Sequence, residues 1–260
     1  IALLAFAPHS IIFSGILLRE NLVNFFVVSS FYCFVMWYKN RSKINILYSL
    51  LLLGISATFH SGVIGIIIGY VYMYLFYNHK TKTFTFTKST IYFLIVFILV
   101  SYFSYFLFSD VLFTKFNKIK SINDIFEQAN VRVGGSAYLT NLEINSLPKL
   151  ILFGPIKTFY FLTSPLPVNW RGIEDIISFI MDSLMYLSFI FYIIINYKKF
   201  INKHPLAMSI LIMILTFSFI FGVGIANAGT AMRHRQKILP LFIVLYAITS
   251  SIKIKDKLTC

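Results

Sequence analysis

Negative charge is what this sequence has least of. Nine aspartates and glutamates stand against 23 lysines and arginines, and charged residues of both signs make up only 12% of the 260. Soluble globular chains carry about 25% charged residues, so this composition excludes an ordinary water-soluble domain. It also argues against a soluble nucleic-acid binder, because the basic residues punctuate apolar runs of about twenty residues instead of studding a polar surface. Cysteine is nearly absent. Cys33 and Cys260 are the only two, too few for a disulfide scaffold or a metal cluster, and Cys260 lacks the residues that follow a prenylated cysteine. The sequence contains no glycine-rich phosphate loop, no His-Glu-x-x-His pair and no Gly-x-Ser-x-Gly elbow. It has no internal repeat or low-complexity linker. It opens on Ile1 inside an apolar stretch, without a basic n-region or cleavage site, and so reads as an N-terminally truncated fragment of a longer membrane protein.

What fills the chain instead is apolar mass. Hydrophobic residues make up 58%, with 29 Phe and 16 Tyr, and the mean hydropathy is +0.80. Apolar runs cover residues 1–18, 21–38, 44–77, 90–108, 176–196, 206–226 and 238–252. Most match one crossing of about 20 residues. The run 44–77 does not, since 34 residues at 1.5 Å each span roughly 51 Å, against a hydrocarbon core of about 30 Å. Its polar, helix-weakening centre, Thr58-Phe59-His60-Ser61-Gly62, predicts two short helices joined by a turn. The expected architecture is therefore all-α, a polytopic transmembrane helix bundle of about eight crossings forming one membrane domain over residues 1–260.

Basic residues orient such a bundle, because cytoplasmic loops carry an excess of lysine and arginine. With a turn at His60, the four clusters Lys39/Arg41/Lys43, Lys80/Lys82/Lys88, Lys198/Lys199/Lys203 and Lys253/Lys255/Lys257 share one side. Those twelve basic residues are opposed only by Asp256, a net +11, while the other side holds eleven basic and eight acidic residues, a net +3. Without the turn, three lysine clusters are stranded outside. The turn places His60 at the extracytoplasmic end. Residues 109–149 become a long external loop with a short helix near 122–129, after Asn123/Asp124 as capping candidates, and a Gly134-Gly135 turn. The segment 150–167, with Gly154, Pro155 and Pro165, reads as re-entrant or interfacial, a backbone tolerated at membrane depth only inside protein or beside a watery cavity.

Sorted by side, 11 of 17 lysines are inside, whereas five of six arginines (Arg19, Arg132, Arg171, Arg233 and Arg235) are outside. Arginine's planar fork suits bidentate phosphate or carboxylate binding, although arginines at a membrane boundary also meet headgroups simply by snorkelling. The densest constellation is Asn227-Ala-Gly-Thr-Ala-Met-Arg233-His234-Arg235-Gln236-Lys237, which reads either as an anion cradle or as a polar turn between helices. His234 titrates near neutral pH when unperturbed. Arg19-Glu20 is either a helix-end ion pair or a general base beside external arginines. His60, inside a long apolar run, needs a partner or a cavity. Arg171 with Glu174 and Asp175 reads most simply as an interfacial cap, and Gly65-x-x-x-Gly69 as a close helix contact. Asp182 is the one acid well inside an apolar stretch, and the helices show no set of charges like a proton relay or voltage sensor.

Several of these motifs together resemble a family. Pro8-x-Ser10, Ser14, Arg19-Glu20, Phe59-His60-Ser61, Gly135-Ser136-Ala137-Tyr138, Ser164-Pro165-Leu166-Pro167 and Gly229-Thr230-Ala231-x-Arg233-His234-Arg235 are similar to the bacterial oligosaccharide repeat-unit polymerases. These are the Wzy-like and EpsG-like membrane proteins of O-antigen, capsule and exopolysaccharide synthesis. The resemblance implies a multi-pass protein of the bacterial cytoplasmic membrane with its active site facing outside. It implies transfer of a growing glycan from undecaprenyl pyrophosphate to a hydroxyl of the next lipid-linked repeat unit, with no cofactor, nucleotide sugar or metal. Partners implied are the lipid-linked oligosaccharide, membrane lipid and other envelope polysaccharide-assembly proteins. Under it, Arg19, Arg132, Arg171, Arg233 and Arg235 would hold pyrophosphate and glycan, with His60, His234 or Glu20 as the base. A polyprenyl-phosphate-sugar glycosyltransferase of the multi-spanning type and a lipid-linked oligosaccharide flippase are the alternatives.

The topology is open to a direct check. Single cysteines introduced as His60→Cys and Met232→Cys should react with a membrane-impermeant thiol reagent added from outside, and labelling only from the cytoplasm would reverse the assigned sidedness.

Overall fold

The computed structural model describes residues 19–85, 91, 121–131 and 134–258. It is mostly helical. The first helix, α1 (Arg19–Asn40), is followed by α2 (Lys43–Phe59), a 3-10 turn (Ser61–Gly65), α3 (Ile66–Phe76) and a two-residue hairpin, β1 (Tyr77–Asn78) with β2 (Thr83–Phe84). Then come α4 (Ile122–Asn130), α5 (Leu147–Thr163) and α6 (Ile173–Ser178), which passes through a π-helical turn (Phe179–Ser183) into α7 (Leu184–Lys203). The chain closes with α8 (Pro205–Gly224), the short α9 (Ala228–Arg235), a 3-10 turn (Gln236–Ile238) and α10 (Leu239–Leu258).

Among the described residues three helices are long and apolar enough to cross a membrane: Arg19–Asn40, the continuous Ile173–Tyr197 and Pro205–Gly224. Two further apolar helices, Lys43–Phe59 and Ser61–Phe76, are shorter. The 17 residues of α2 extend only about 25 Å at 1.5 Å each, less than a full hydrocarbon core. Of the expected eight crossings, three are represented among the described residues by helices with the length and composition of a span. The expected runs at 1–18 and 90–108 lie outside the described residues.

The long apolar run is divided at His60, where the backbone turns extended (φ −149°, ψ 101°). The chain then doubles back. Tyr70 of α3 bonds Ser30 of α1 at 2.9 Å, Tyr74 bonds Ser49 of α2 at 2.7 Å, and Arg41 Nη2 donates to the carbonyl of His79 at 3.0 Å. These serine and tyrosine hydroxyls tie three helices together by satisfying one another inside the bundle. The Tyr70 ring also stacks on Phe34, with centroids 4.4 Å apart. His60 therefore lies at the opposite end of the bundle from Arg41 and His79.

Helix α8 is the central post, with its buried face running from Leu206 to Val223. Gly65 and Gly69 let α3 press directly against it. A Cβ on Gly69 would lie 2.8 Å from the Ser209 carbonyl, and one on Gly65 would lie 3.1 Å from the Phe217 backbone. Ser209 and Thr216 then donate their hydroxyls to the carbonyls of Gly69 and Gly65, both at 2.7 Å. Near its C-terminal end Gly222 does the same for α5, whose Thr158 backbone would stand 2.7 Å from an added Cβ. The segment expected to be re-entrant or interfacial is thus a helix crossing that end of α8, with Pro155 inside it. Buried Lys157 fixes the crossing by donating to the carbonyls of Val223, at 2.8 Å, and of Ala129 in α4. The short helix α4 is capped by Ser121, whose side chain and that of Asp124 bond each other's backbone, a capping box. Asn123, a capping candidate in the sequence, is not the cap.

The π-helical turn carries the feature that organises this end of the bundle. A π turn inserts one extra residue into a helix, and here two successive residues, Asp182 and Ser183, are both buried. Arg235, with 0% of its side chain exposed, fills the space before them. Its Nε and Nη2 donate to Asp182 Oδ2, Nη2 also to Ser183 Oγ, and Nη1 to the carbonyls of Phe161 and Leu162. Gln236 Nε2 bonds the other carboxylate oxygen at 3.0 Å, and Tyr186 OH bonds the Arg235 carbonyl at 3.0 Å. The reading of Arg235 as a phosphate ligand is corrected by this geometry, because all five of its N–H groups are engaged inside the protein. A buried ionic core also exists where the sequence showed only one isolated acid.

Removing one member of such a pair strands the other charge in a medium that cannot solvate it. Asp182→Ala or Arg235→Met should each lower unfolding stability by about 3–5 kcal/mol, whereas the double variant Asp182→Leu/Arg235→Met should recover most of the loss. Thermal unfolding of the detergent-solubilised protein measures this, and single variants melting with the wild type would refute the assignment.

Candidate functional site: a cationic and histidine cluster at one bundle end

Segments far apart in sequence meet at the end of the bundle marked by His60. The N-terminus of α1 brings Arg19 and Glu20, the break after α2 brings His60, and α9 with its following turn brings Arg233, His234 and Lys237. The fold explains each position. Asn227 caps α9 by accepting from the Thr230 N–H at 3.1 Å. The segment Ser136–Tyr138 holds the approach to α9 through Tyr138 N–H to the Ala226 carbonyl and Ala228 N–H to the Ser136 carbonyl, both 2.9 Å. With Arg235 locked inward on α9, Arg233 projects from another face of the same helix.

Arg233 Nη2 lies 2.8 Å from Glu20 Oε1. The arginine side chain is 41% exposed and the glutamate 5%, so the pair spans the boundary between protein and surroundings. The Arg233 Nε has no hydrogen-bond partner among the described residues. The rings of His60 and His234 are 4.5 Å apart, nearly edge to face, and both pack on Phe221 at 5.0 and 5.1 Å. Lys237 Nζ is 2.6 Å from His234 Nδ1. Burial, reinforced by the neighbouring cations Lys237, Arg233 and Arg19, pushes the His234 pKa down to about 2. It is a neutral imidazole over the physiological range, able to accept from the ammonium. Burial pushes Lys237 down to about 7, although Glu20 opposes the shift. Three cations thus face one carboxylate, and one of the three is poised to gain or lose its proton near neutral pH.

Five of the residues selected from sequence (Arg19, Glu20, His60, Arg233 and His234) fall in or beside this cluster. Arg171 does not. Its guanidinium is held by Asp175 one turn along, with Nη2 to Oδ1 at 2.9 Å and Nε to Oδ2 at 3.0 Å, the interfacial cap that its neighbours suggested. Arg132 lies outside the described residues. Phe221 and the anchor Asp182 were not selected from sequence as site residues, and Lys237 entered only as the end of the constellation 227–237. Of these, Asp182 carried a usable signal, since an acid within an apolar run demands a buried partner. Among the described residues no three His, Cys, Asp or Glu side chains gather as a metal site requires. The chain matches no family of known proteins, no curated protein and no solved structure.

What the cluster can do chemically is accept an anion. The Arg233 guanidinium, 41% exposed and bound to Glu20 through Nη2, is the group an anion would meet first, with the Lys237 amine buried behind it. Glu20 and His60 are the candidate proton acceptors within it, while His234 serves as a hydrogen-bond acceptor for Lys237.

Lys237 also gives a pH signature. Its folded pKa of about 7 is below the ordinary lysine value of 10.5, so between those values the unfolded chain binds more protons than the folded one. Stability should therefore rise as pH increases from about 7 to 10.5 and fall as pH drops back through that window. Lys237→Met should flatten the melting temperature across this range, and an unchanged slope would show that Lys237 titrates normally.

Proposed function

We propose that this chain is a membrane glycosyl-transferring polymerase that joins lipid-pyrophosphate-linked oligosaccharide units on the extracytoplasmic face of a bacterial cytoplasmic membrane. The supporting observation is the convergence of Glu20, His60, Arg233, His234 and Lys237, from three distant stretches of chain, at the end of the bundle opposite Arg41 and His79. In this reading the chain crosses the membrane about eight times, counting apolar runs 1–18 and 90–108.

The chemistry follows from the substituents. Transferring a glycan from its lipid pyrophosphate breaks the anomeric C–O bond and leaves a pyrophosphate that gains negative charge, while the acceptor hydroxyl forms the new glycosidic bond and loses its proton. Arg233, with Arg19 and protonated Lys237 beside it, would stabilise the departing pyrophosphate, since charge-assisted contacts strengthen as that charge develops. His60 or Glu20 would receive the acceptor proton, whereas His234, with a pKa held down to about 2, is too weak a base for that role. Glu20 is already engaged by Arg233, so its release would accompany pyrophosphate binding at the arginine. The gathering of the cations at one end supports an enzyme at a membrane face over a flippase, which needs cationic groups along a central path.

Deleting the gene in its host and separating surface glycans on a gel tests this reading. Long chains should disappear while single repeat units remain. Loss of every unit, or their accumulation in the cytoplasm, would instead indicate an earlier transferase or a flippase. In a complemented strain, Arg233→Lys should shorten chains markedly because lysine cannot reproduce the planar fork. Wild-type chain length would remove Arg233 from the site.

A further inference from the structure

Beside the cationic cluster, at the same end of the bundle, lies an open cleft of about 740 Å³ formed by the loop 139–143, the outer face of α5 and the turn at Val168 and Asn169. Its volume falls within the about 300–1,000 Å³ of ligand sites. Its walls are polar in a particular way. Thr140, Asn141 and Asn169 present neutral hydrogen-bonding groups, and Glu143 and Lys149 balance each other's charge. Phe153 and Tyr160 line it with ring surface, and the Tyr160 ring is itself braced by Tyr138 at 5.4 Å. The cationic cluster selects charge, whereas this cleft does not.

One detail points to a ligand that donates hydrogen bonds. The Asn169 side-chain oxygen is buried yet has no hydrogen-bond partner among the described residues, and only a donor can satisfy it. At the rim Leu139 adopts a left-handed backbone with φ 53°, an unusual state for a branched apolar residue that is retained chiefly where surrounding structure imposes it. Here the imposing contacts are the Leu142 N–H to the Leu139 carbonyl at 3.1 Å and the neighbouring Tyr138 N–H to Ala226. Sugars meet both requirements of the cleft, offering hydroxyl donors to planar amides and C–H faces to aromatic rings.

The cleft and the cluster are adjacent through α5. Tyr160 lines the cleft, and the next residue, Phe161, stacks on Phe221 at 5.8 Å, the ring on which His60 and His234 rest. We propose that the cleft is a glycan-binding groove that holds the saccharide portion of a substrate whose anionic end lies at the cationic cluster. The assignment rests on the polymerase reading for the identity of the saccharide, and it adds where the sugar chain is held. Specificity for the repeat unit would accordingly reside in Thr140, Asn141, Glu143 and Asn169, not in the arginines.

Trp170, next to Asn169 and packed on Phe179 at 5.4 Å, gives a built-in reporter, since the other tryptophan, Trp37, is buried on α1 with its ring 5.1 Å from His79 at the opposite end. The purified, detergent-solubilised chain should be titrated with oligosaccharides released by mild acid from the surface polysaccharide of the source bacterium, free of lipid and pyrophosphate. Saturable change in Trp170 fluorescence is expected. Tyr160→Ala and Asn169→Ala should each weaken it tenfold or more, and Lys80→Ala, in the hairpin at the other end, should leave it unchanged. Val168→Arg, at a residue 77% exposed, blocks the cleft without disturbing the core and should also abolish the response. Absence of saturable binding, or binding indifferent to all three cleft variants, overturns the groove. If the deletion strain loses long chains while cleft binding fails, the polymerase reading stands and the groove falls. If cleft-dependent binding is found while the deletion strain keeps normal chain lengths, the groove stands and the polymerase reading falls.

Discussion

A guanidinium with no exposed surface must have every donor matched, and Arg235 achieves this with one carboxylate, one hydroxyl and two backbone carbonyls. The consequence extends beyond the pair. Those acceptors belong to α5 and to the π-helical turn between α6 and α7, so a single side chain on α9 fixes three otherwise separate elements. Because Arg235 faces inward, the helix it sits on must direct Arg233 elsewhere, and that direction is toward Glu20. The exposed arginine is available because the buried one is not.

Glycine and small hydroxyl residues complete the frame. Gly65, Gly69 and Gly222 allow backbones to approach α8 at distances a Cβ would forbid, and Ser209 and Thr216 satisfy carbonyls of α3 and the turn before it at those contacts. Lys157 performs a comparable task with a charge, binding carbonyls of α4 and α8. Charged groups in this protein therefore divide into two kinds. Arg235, Asp182 and Lys157 are consumed by structure, whereas Arg233 reaches the surface, with Glu20 and Lys237 buried behind it.

That division suits a reaction at a membrane face. In the proposed reaction the cationic end would meet the phosphorylated lipid, and the neutral cleft beside it would hold the part of the substrate that carries no charge. Under that proposal, neighbouring surfaces of α5, at Tyr160 and Phe161, would let sugar preference vary without disturbing the cationic end.

The sequence by itself determined the helical membrane character, through the scarcity of charge and the length of apolar runs. It also located the break at His60, because a polar residue beside glycine inside 34 apolar residues has no stable place in a continuous span. It singled out Glu20, His60, Arg233 and His234, since polar groups at apolar boundaries are few and each needs a reason. It did not separate Arg233 from Arg235. Two residues apart on a helix, they point about 200° from one another, and which one faces the core depends on where Asp182 stands. That was decided only by tertiary structure, because the π-helical turn that aims Asp182 inward leaves no mark in hydrophobic periodicity. Lys237 was likewise invisible as a titrating group, since its lowered pKa comes from burial among helices that are distant in sequence.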